Sequence, residues 1–284
     1  MSSLSLNQPT GHLVIVGGGP LTHEIAERTL ALVGGKDARI LIIPQASVWD
    51  GAGKKWQGIW QRAGARRVTV LDLDDPKAAL EAIKQADLIW MSGGSQNRLM
   101  QQLSRGGLVE AIRDRFLHGA TVGGTSAGAA VMSRIMLTRK GTPVPVLDEG
   151  LGLWPDVIVD QHYLRRHRFA RLLDAVLNHP EKVGVGIDER TAVVVEGRHF
   201  EVIGSSKVMV LDARKALQLH PKHGATATRA EVDTYPLKAG EKFDLDRPPF
   251  PLAAGASDRQ RARGRQNGRP VLLRKREDRP KRDS

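Results

Sequence analysis

Short apolar runs rich in β-branched residues alternate with amphipathic helical stretches through the first two hundred residues, and this alternation constrains the fold most. The pattern predicts strands at residues 12–16, 39–43, 67–71, 88–91 and 120–123, and helices that end at residue 32 and span residues 76–85. Strands separated by helices require right-handed crossover connections. We therefore predict an α/β fold with a mostly parallel sheet that is covered on both faces.

The pattern changes after residue 183, where strands follow one another closely without intervening helices. We predict antiparallel hairpins from strands at 183–187, 191–195, 199–203 and 207–211. These strands either extend the main sheet or form a second, smaller one. The predicted organisation is one catalytic α/β domain at 1–255, whose last residues from 248 resemble a linker, and a basic tail at 256–284.

Composition excludes several classes of site and protein. A chain of 284 residues can bury a full core. It contains no cysteine, which excludes disulfides, thiolate metal sites and a cysteine nucleophile. We see neither a signal peptide nor an apolar run long enough for a membrane span, and therefore expect a cytoplasmic protein without membrane contact.

The net charge of +12 raises the possibility of a nucleic-acid partner. Residues 258–284 contain eleven basic and four acidic residues, which places +7 of that charge in the tail. Such a segment has little to bury, so we expect it to be disordered and solvated. It also lacks the aromatic residues that stack on bases, although transient contact of this tail with RNA stays open.

A Gly-x-Ser-x-Gly pattern at residues 124–128 has Ser126 at its centre. An apolar run precedes it and a helix-compatible run follows, which is the order of a nucleophile elbow. The amides at the start of the helix would then face an oxyanion formed at the serine. The alternative is a glycine-rich turn in which Ser126 only caps the helix.

A serine nucleophile requires a base and an acid that orients this base. His162 follows a predicted strand at 157–159, and Asp188 and Glu189 follow the strand at 183–187. Each would lie at a strand end, although a histidine there can also be purely structural. Metal binding by Asp160, His162 and His167 is a further alternative, but it lacks the helical spacing of metal-binding histidines.

Arginines cluster at the start of the helix that follows His162, at positions 165, 166, 168 and 171. Cations in the first turn oppose the helix dipole. Because guanidinium groups bind carboxylates in bidentate fashion, the cluster indicates an acidic substrate or a free carboxyl terminus. The alternative is a solvated basic face.

Gly17, Gly18 and Gly19 follow the first strand, as in a dinucleotide-binding turn. Thr22 stands where that motif requires its third glycine, and the chain has no Walker sequence. We interpret the glycines as a tight turn that lines the cleft, without a cofactor.

Four segments in this order resemble the cyanophycinase family of serine peptidases, over residues 11–212. They are Ser92-Gly93-Gly94-Ser95-Gln96, Gly124-Thr125-Ser126-Ala127-Gly128-Ala129, Asp160-Gln161-His162 with the arginines at 166, 168 and 171, and Gly184-Val185-Gly186-Ile187-Asp188-Glu189 with Thr191-Ala192. The family is related to aspartyl dipeptidases and class I glutamine amidotransferases, which implies a three-layer αβα sandwich. The resemblance also implies a homodimer and neither metal nor cofactor.

The family hydrolyses cyanophycin, a polyaspartate with arginine joined to each side chain by an isopeptide bond, and releases β-Asp-Arg. The resemblance implies Ser126 as the nucleophile, His162 as general base and then acid, and Glu189 as the residue that orients His162. It implies a substrate pocket lined by Gln96, Asp160, Gln161, Arg166, Arg168 and Arg171. By chemistry we expect the oxyanion hole to consist of the Ala127 amide and that of Gly93 or Gly94, and Asp160 to bind substrate arginine.

Two features depart from the family pattern. Ser95 stands where the family usually has an acid, and the basic tail lies outside the resemblance. Two alternatives therefore stay open. One is a dipeptidase acting on aspartyl peptides through the same residues, and the other is a non-catalytic protein that binds RNA through its tail.

Overall fold

A computed structural model describes residues 9–138, 146–219 and 228–246. The predicted linker and basic tail lie outside these residues, as do the first eight residues of the segment considered for a signal peptide. The domain boundary at residue 255 therefore stays a prediction.

The strands and helices are numbered in chain order. The strands are β1 (Leu13–Val16), β2 (Arg39–Ile43), β3 (Arg67–Val70), β4 (Leu88–Met91), β5 (Thr121–Thr125), β6 (Ile135–Leu137), β7 (Leu147–Glu149), β8 (Val157–Gln161), β9 (Val183–Ile187), β10 (Thr191–Glu196), β11 (His199–Gly204), β12 (Lys207–Asp212), β13 (Asp233–Lys238) and β14 (Lys242–Asp244). The helices are α1 (His23–Leu32), α2 (Ala52–Arg62), α3 (Pro76–Gln85), α4 (Gln96–Leu103), α5 (Leu108–Leu117), α6 (Ala127–Ala130), α7 (Phe169–Asn178) and α8 (Arg214–Leu219).

The main sheet has eight strands in the order β14-β11-β10-β1-β5-β4-β2-β3. From β1 to β3 all neighbours are parallel, whereas β10, β11 and β14 add antiparallel strands on the other side of β1. The parallel strands β1, β4 and β5 therefore end at the same edge, where the glycine-rich segments emerge.

A second sheet has the order β13-β12-β9-β8, and only β8 and β9 are parallel in it. The closely spaced strands after residue 183 are thus divided between the sheets. Strands β10 and β11 form a hairpin in the main sheet, while β9 and β12 pair in the second one. The predictions of an extended sheet and of a second sheet are both confirmed.

The packing of the core explains why the parallel strands have continuous apolar sequences. In β1, Leu13 and Ile15 pack into a cluster with α3, α5 and the second sheet, whereas Val14 and Val16 pack on the other face with α1 and α2. A strand buried on both faces needs apolar residues at every position. The predicted α/β class, with helical layers on either side of a large mostly parallel sheet, is confirmed.

Strand positions agree closely with the sequence pattern because that pattern is local, and the predicted helix at 76–85 coincides with α3. Its Asp75 side chain caps the helix by accepting from the Lys77 and Ala78 amides, ahead of proline at the first position. Helices α2, α4, α5 and α8 and strands β6, β7, β13 and β14 were not predicted.

Candidate active site

Ser126 lies in a sharp turn between β5 and α6, with φ 53° and ψ −106°. This backbone conformation is strained for a residue with a side chain. The flanking glycines are required sterically. A Cβ on Gly124 would lie 2.6 Å from the Gly128 carbonyl oxygen, and one on Gly128 would lie 2.3 Å from the Met91 carbonyl oxygen. The pattern therefore reflects close backbone packing around a projected serine, as in a nucleophile elbow.

The helix after the serine is shorter than the sequence suggested. Helix α6 contains a single turn, Ala127–Ala130. The macrodipole of one turn is small, so individual amides matter more here than the helix dipole.

The structure brings Ser126, His162 and Glu189 into one hydrogen-bonded series. The Nε2 atom of His162 is 2.9 Å from the Ser126 hydroxyl oxygen, and its Nδ1 is 2.6 Å from Oε1 of Glu189. A carboxylate can only accept, so Nδ1 carries the proton and Nε2 accepts from the serine hydroxyl. The His162 side chain is 9% exposed and that of Glu189 is 30% exposed. This arrangement can transfer a proton from the serine to the imidazole.

The turn after β1 positions all three segments of this series through consecutive carbonyl groups. The carbonyl oxygen of Val16 accepts from the Ser126 amide at 3.1 Å, and that of Gly17 accepts from the His162 amide at 2.6 Å. The carbonyl oxygen of Gly18 accepts from Arg190, which follows Glu189, at 2.9 Å. The glycine turn therefore aligns the three chain segments as well as lining the cleft.

Gly18 also packs directly against the imidazole. Its φ is +127°, and a Cβ there would lie 2.3 Å from Cε1 of His162, 2.6 Å from Nε2 and 2.7 Å from Nδ1. A side chain at this position would overlap the ring. The sequence marked these glycines as a turn, but contact with His162 depends on the tertiary fold.

The pKa of His162 lies below its ordinary value of 6.5. Burial is the largest cause because it disfavours the charged imidazolium. Glu189 opposes this effect by hydrogen bonding, while the positive charges of Arg166 and Arg168 lower the pKa further. The imidazole is consequently neutral at pH 7, which is the form that can accept the serine proton.

The predicted oxyanion-hole residues take different positions. Gly93 stands against the serine, since a Cβ on it would lie 3.4 Å from the Ser126 Cβ. Within the described residues, the amides of Gly93 and Ala127 have no protein acceptor. Gly94 instead packs on the β2–α2 loop, where its Cβ would lie 2.2 Å from the Ala46 carbonyl oxygen. The amide of Gly94 likewise has no backbone acceptor among these residues. The position of Gly93 against the serine supports it as the partner of Ala127, and the oxyanion hole stays a prediction.

A cavity of about 690 Å³ opens beside Ser126. The predicted pocket residues that line it are Gln96, Gln161, Arg166, Arg168 and Arg171. The other lining residues are Gly94, Ser95, Asn97, Thr138 and Val146, of which Asn97, Thr138 and Val146 carried no sequence signal of a site. Strands and helices from both halves of the chain contribute, so their proximity follows only from the fold.

Asp160 occupies a different position from the one expected of a substrate-binding residue. It is fully buried, and its carboxylate accepts from Arg171 Nε at 2.9 Å and from Arg168 at 3.3 Å, with a further close contact to the terminal nitrogen of Arg171. Such a carboxylate is not accessible to an arginine of a substrate. The expectation of direct contact is corrected here: Asp160 holds two cavity arginines in place.

The cavity arginines differ in their surroundings. Arg168 is buried and also donates to the backbone and side-chain oxygens of Gln161, at 2.6 and 2.8 Å. Burial lowers its pKa to about 10, so it remains charged at neutral pH. Arg166 is exposed, and no described side chain forms an ion pair with it. With Asp160 balancing one guanidinium, the site keeps two excess positive charges, which suits carboxylates.

Two further residues of the recognised segments have structural roles. The Ser95 hydroxyl caps α4 by accepting from the Arg98 amide at 3.3 Å. Asp188 joins the loop after His162 to the β11–β12 turn, because its carboxylate accepts from the Arg165 amide at 3.0 Å and the Ser206 hydroxyl at 2.7 Å. Ser95 thus fills its position as a helix cap, and Asp188 secures the loop that carries the imidazole.

The alternative ligand set of Asp160, His162 and His167 is not assembled as a metal centre. The described part of the chain contains no group of three or more histidine and carboxylate side chains able to hold an ion. No helix in that part is both long and apolar enough to cross a membrane.

Comparison with known proteins identifies the family. The family model described as peptidase family S51 matches residues 13–203. A cyanophycinase from Geminocystis herdmanii is 39% identical over 80% of this chain and 88% of its own length, and one from a Nostoc species is 36% identical over 86% and 89%. The crystal structure of a peptidase from an acI-B1 actinobacterium superposes with a TM-score of 0.64 and 25% identity, covering 84% of this chain and 98% of that one.

The chain therefore belongs to peptidase family S51 and is a serine-type peptidase.

Proposed function

We propose that this S51 peptidase hydrolyses cyanophycin or a closely related β-aspartyl-arginine polymer, with Ser126, His162 and Glu189 as its catalytic residues. The observation that carries this proposal is the Ser126–His162–Glu189 series opening onto an arginine-lined cavity. The relatives named cyanophycinase, at 39% and 36% identity, support the choice of substrate.

In the proposed first step, the Ser126 hydroxyl oxygen attacks a backbone carbonyl carbon of the polymer while His162 Nε2 takes its proton. Glu189 stabilises the resulting imidazolium through Nδ1. The negative oxygen of the tetrahedral intermediate accepts hydrogen bonds from the Gly93 and Ala127 amides, and removing one such donor typically costs about 3 kcal/mol of transition-state stabilisation.

The intermediate collapses by breaking the carbon–nitrogen bond, and His162 returns its proton to the departing amine. An ester between Ser126 and the remaining acyl group is left. Water, deprotonated by His162, then attacks this ester, and the serine recovers its proton as the acid product leaves. Each half-reaction needs a neutral imidazole at its start, which agrees with the lowered pKa of His162.

The charge of the cavity supports cleavage at the end of a polymer. A released β-Asp-Arg unit carries two free carboxylates, one from aspartate and one from arginine. Arg166, Arg168 and Arg171 provide three guanidiniums for these groups, and Asp160 neutralises one of them. That charge supports the proposal of an exopeptidase that recognises a terminal carboxylate in this cavity. The homodimer implied by the resemblance and the cytoplasmic location expected from the sequence remain predictions.

The test is mass-spectrometric detection of β-Asp-Arg after incubation with insoluble cyanophycin, with wild type beside Ser126→Ala. We expect release by wild type and a loss of about 1000-fold or more in the variant. The variant removes one oxygen, and equal unfolding curves would establish that it is folded. Release at the wild-type rate would refute Ser126 as nucleophile. Cleavage of aspartyl dipeptides but not of polymer would favour the dipeptidase alternative.

A further inference from the structure

The active-site cavity lacks a group that suits the arginyl branch of the proposed substrate. Its described lining contains three arginines and no aspartate or glutamate. Asp160, beneath them, is buried and already paired. A substrate guanidinium is repelled by this charge and is better accommodated outside the cavity.

Trp49 is an exposed aromatic side chain on the loop between β2 and α2. It is 60% exposed, whereas Trp60, Trp90 and Trp154 are buried. The loop holds it in place: its amide donates to the Ser47 hydroxyl at 3.1 Å and its carbonyl oxygen accepts from the Ala52 amide at 3.0 Å. An ordered, exposed tryptophan is a favourable surface for a cation.

Gly51 lies directly against the indole of Trp49. A Cβ on Gly51 would lie 2.3 Å from Cζ2 of Trp49 and 2.6 Å from Cε2. The ring therefore rests directly on the glycine backbone. The backbone of Gly51 has φ −73° and ψ −5°, which any residue can adopt. Its lack of a side chain serves the ring contact and not the local backbone conformation.

This loop is joined to the wall of the active-site cavity. The Ala46 carbonyl oxygen accepts from the Ser95 amide at 2.8 Å, and Gly94 packs against the same carbonyl. Gly94 and Ser95 both line the cavity beside Ser126. Trp49 is three residues from Ala46, so their Cα atoms are separated by at most about 11 Å. The arginyl branch of the polymer is itself on the order of 10 Å long.

We propose that Trp49 stacks on a guanidinium of the substrate polymer at the rim of the cavity, while the cavity arginines bind carboxylates. This inference rests on the proposed function. The neighbouring carboxylate of Asp50 lines a separate depression together with Lys54. Carboxylates and guanidiniums of one repeating unit are thus recognised by separate surfaces, which favours this zwitterionic polymer over plain polyaspartate.

The experiment measures binding by calorimetry in the Ser126→Ala background, so that turnover does not interfere. The ligands are a synthetic trimer of β-Asp-Arg units and the same trimer with neutral citrulline in place of arginine. We expect Trp49→Ala to weaken arginine-trimer binding roughly 2- to 5-fold, the range of an exposed cation–π contact. Citrulline is neutral and forms no cation–π contact, so the affinity for the citrulline trimer should change less than about twofold.

Two further variants show whether the effect depends on the position of the indole or on the loss of any exposed apolar side chain. Gly51→Ala keeps the tryptophan but displaces its ring, and we expect it to reproduce most of the Trp49→Ala effect. Leu117→Ala removes another exposed apolar side chain, 43% exposed, at the end of α5 and away from the cavity lining. We expect this control to bind both trimers like the parent.

The outcomes separate the two proposals. Unchanged arginine-trimer affinity in Trp49→Ala, or an equal loss for the citrulline trimer, overturns the stacking proposal even if polymer is hydrolysed. Trp49-dependent binding without polymer hydrolysis by the wild type would retain stacking and refute the proposed function. Absence of trimer binding to the parent would overturn the stacking proposal, and the proposed function would then be decided by polymer hydrolysis alone.

Discussion

Substitution of Gly18 by alanine tests whether the turn after β1 positions the imidazole. A Cβ at this residue would lie 2.3 Å from Cε1 of His162, compared with about 3.5 Å for an ordinary carbon contact. The ring must therefore move by about 1 Å. Its 2.9 Å contact with the Ser126 hydroxyl then lengthens beyond hydrogen-bond range.

We expect kcat to fall between about 100-fold and 10,000-fold, which is the range for a base displaced by about 1 Å or lost. The Michaelis constant should change little, because the cavity arginines are not in contact with Gly18. The assay is steady-state hydrolysis of a soluble β-Asp-Arg oligomer, with urea unfolding in parallel. The +127° φ adds a backbone strain of about 1–3 kcal/mol, so folding at the assay temperature must be established.

Gly35→Ala is the matched control for backbone strain. Its φ is +95°, and nothing lies within 4 Å of the position that its Cβ would take. We expect a stability loss of about 1–3 kcal/mol, as for the backbone strain at Gly18, and wild-type kcat. Wild-type kcat in folded Gly18→Ala, or an equal loss in Gly35→Ala, would refute the positioning role of the turn.

Two other predictions concern the charges of the cavity. Because neutral His162 is the base, activity falls as the pH drops through the pKa of His162. The positive charge of Arg166 lowers this pKa, so Arg166→Gln should raise it. We therefore expect the acidic limb of the kcat/KM profile to move to higher pH. An acidic limb at the wild-type pH would contradict the electrostatic effect of Arg166 on His162. Asp160→Ala leaves Arg168 and Arg171 without their buried carboxylate, so urea unfolding should show a loss of about 3–5 kcal/mol. Unchanged stability with weaker substrate binding would instead support direct substrate contact by Asp160.

The sequence predicted the elements and residues whose signals are local. Strands such as β2 and β4 are apolar on both faces, and the Gly-x-Ser-x-Gly pattern around Ser126 is visible in the sequence. The requirement for Gly124 is local, since its Cβ would meet Gly128, whereas the requirement for Gly128 comes from Met91 on the neighbouring strand β4. The proximity of His162 and Glu189 was inferred from strand ends and from family resemblance. It could not be derived from spacing, since β8 and β9 belong to a sheet whose packing is determined by distant residues.

Asp160 shows what a local pattern cannot predict. A carboxylate at a strand end beside arginines is compatible with both a substrate ligand and a buried partner of those arginines. Its complete burial depends on how β8 packs beneath α7. Gly18 is similar, because a glycine turn is visible in the sequence but its contact with an imidazole 144 residues later is not.

The proposed catalytic residues lie where the two sheets meet. Ser126 follows β5 of the main sheet, His162 follows β8 of the second sheet, and Glu189 lies where the chain passes from β9 to β10. Proton transfer over 2.9 Å therefore depends on the relative placement of two sheets. Three consecutive carbonyl groups, from the last residue of β1 and the first two residues of the turn that follows, accept from backbone amides of all three segments, which couples that placement to a single turn. A peptidase built this way can lose its base geometry through a change that leaves every catalytic side chain present.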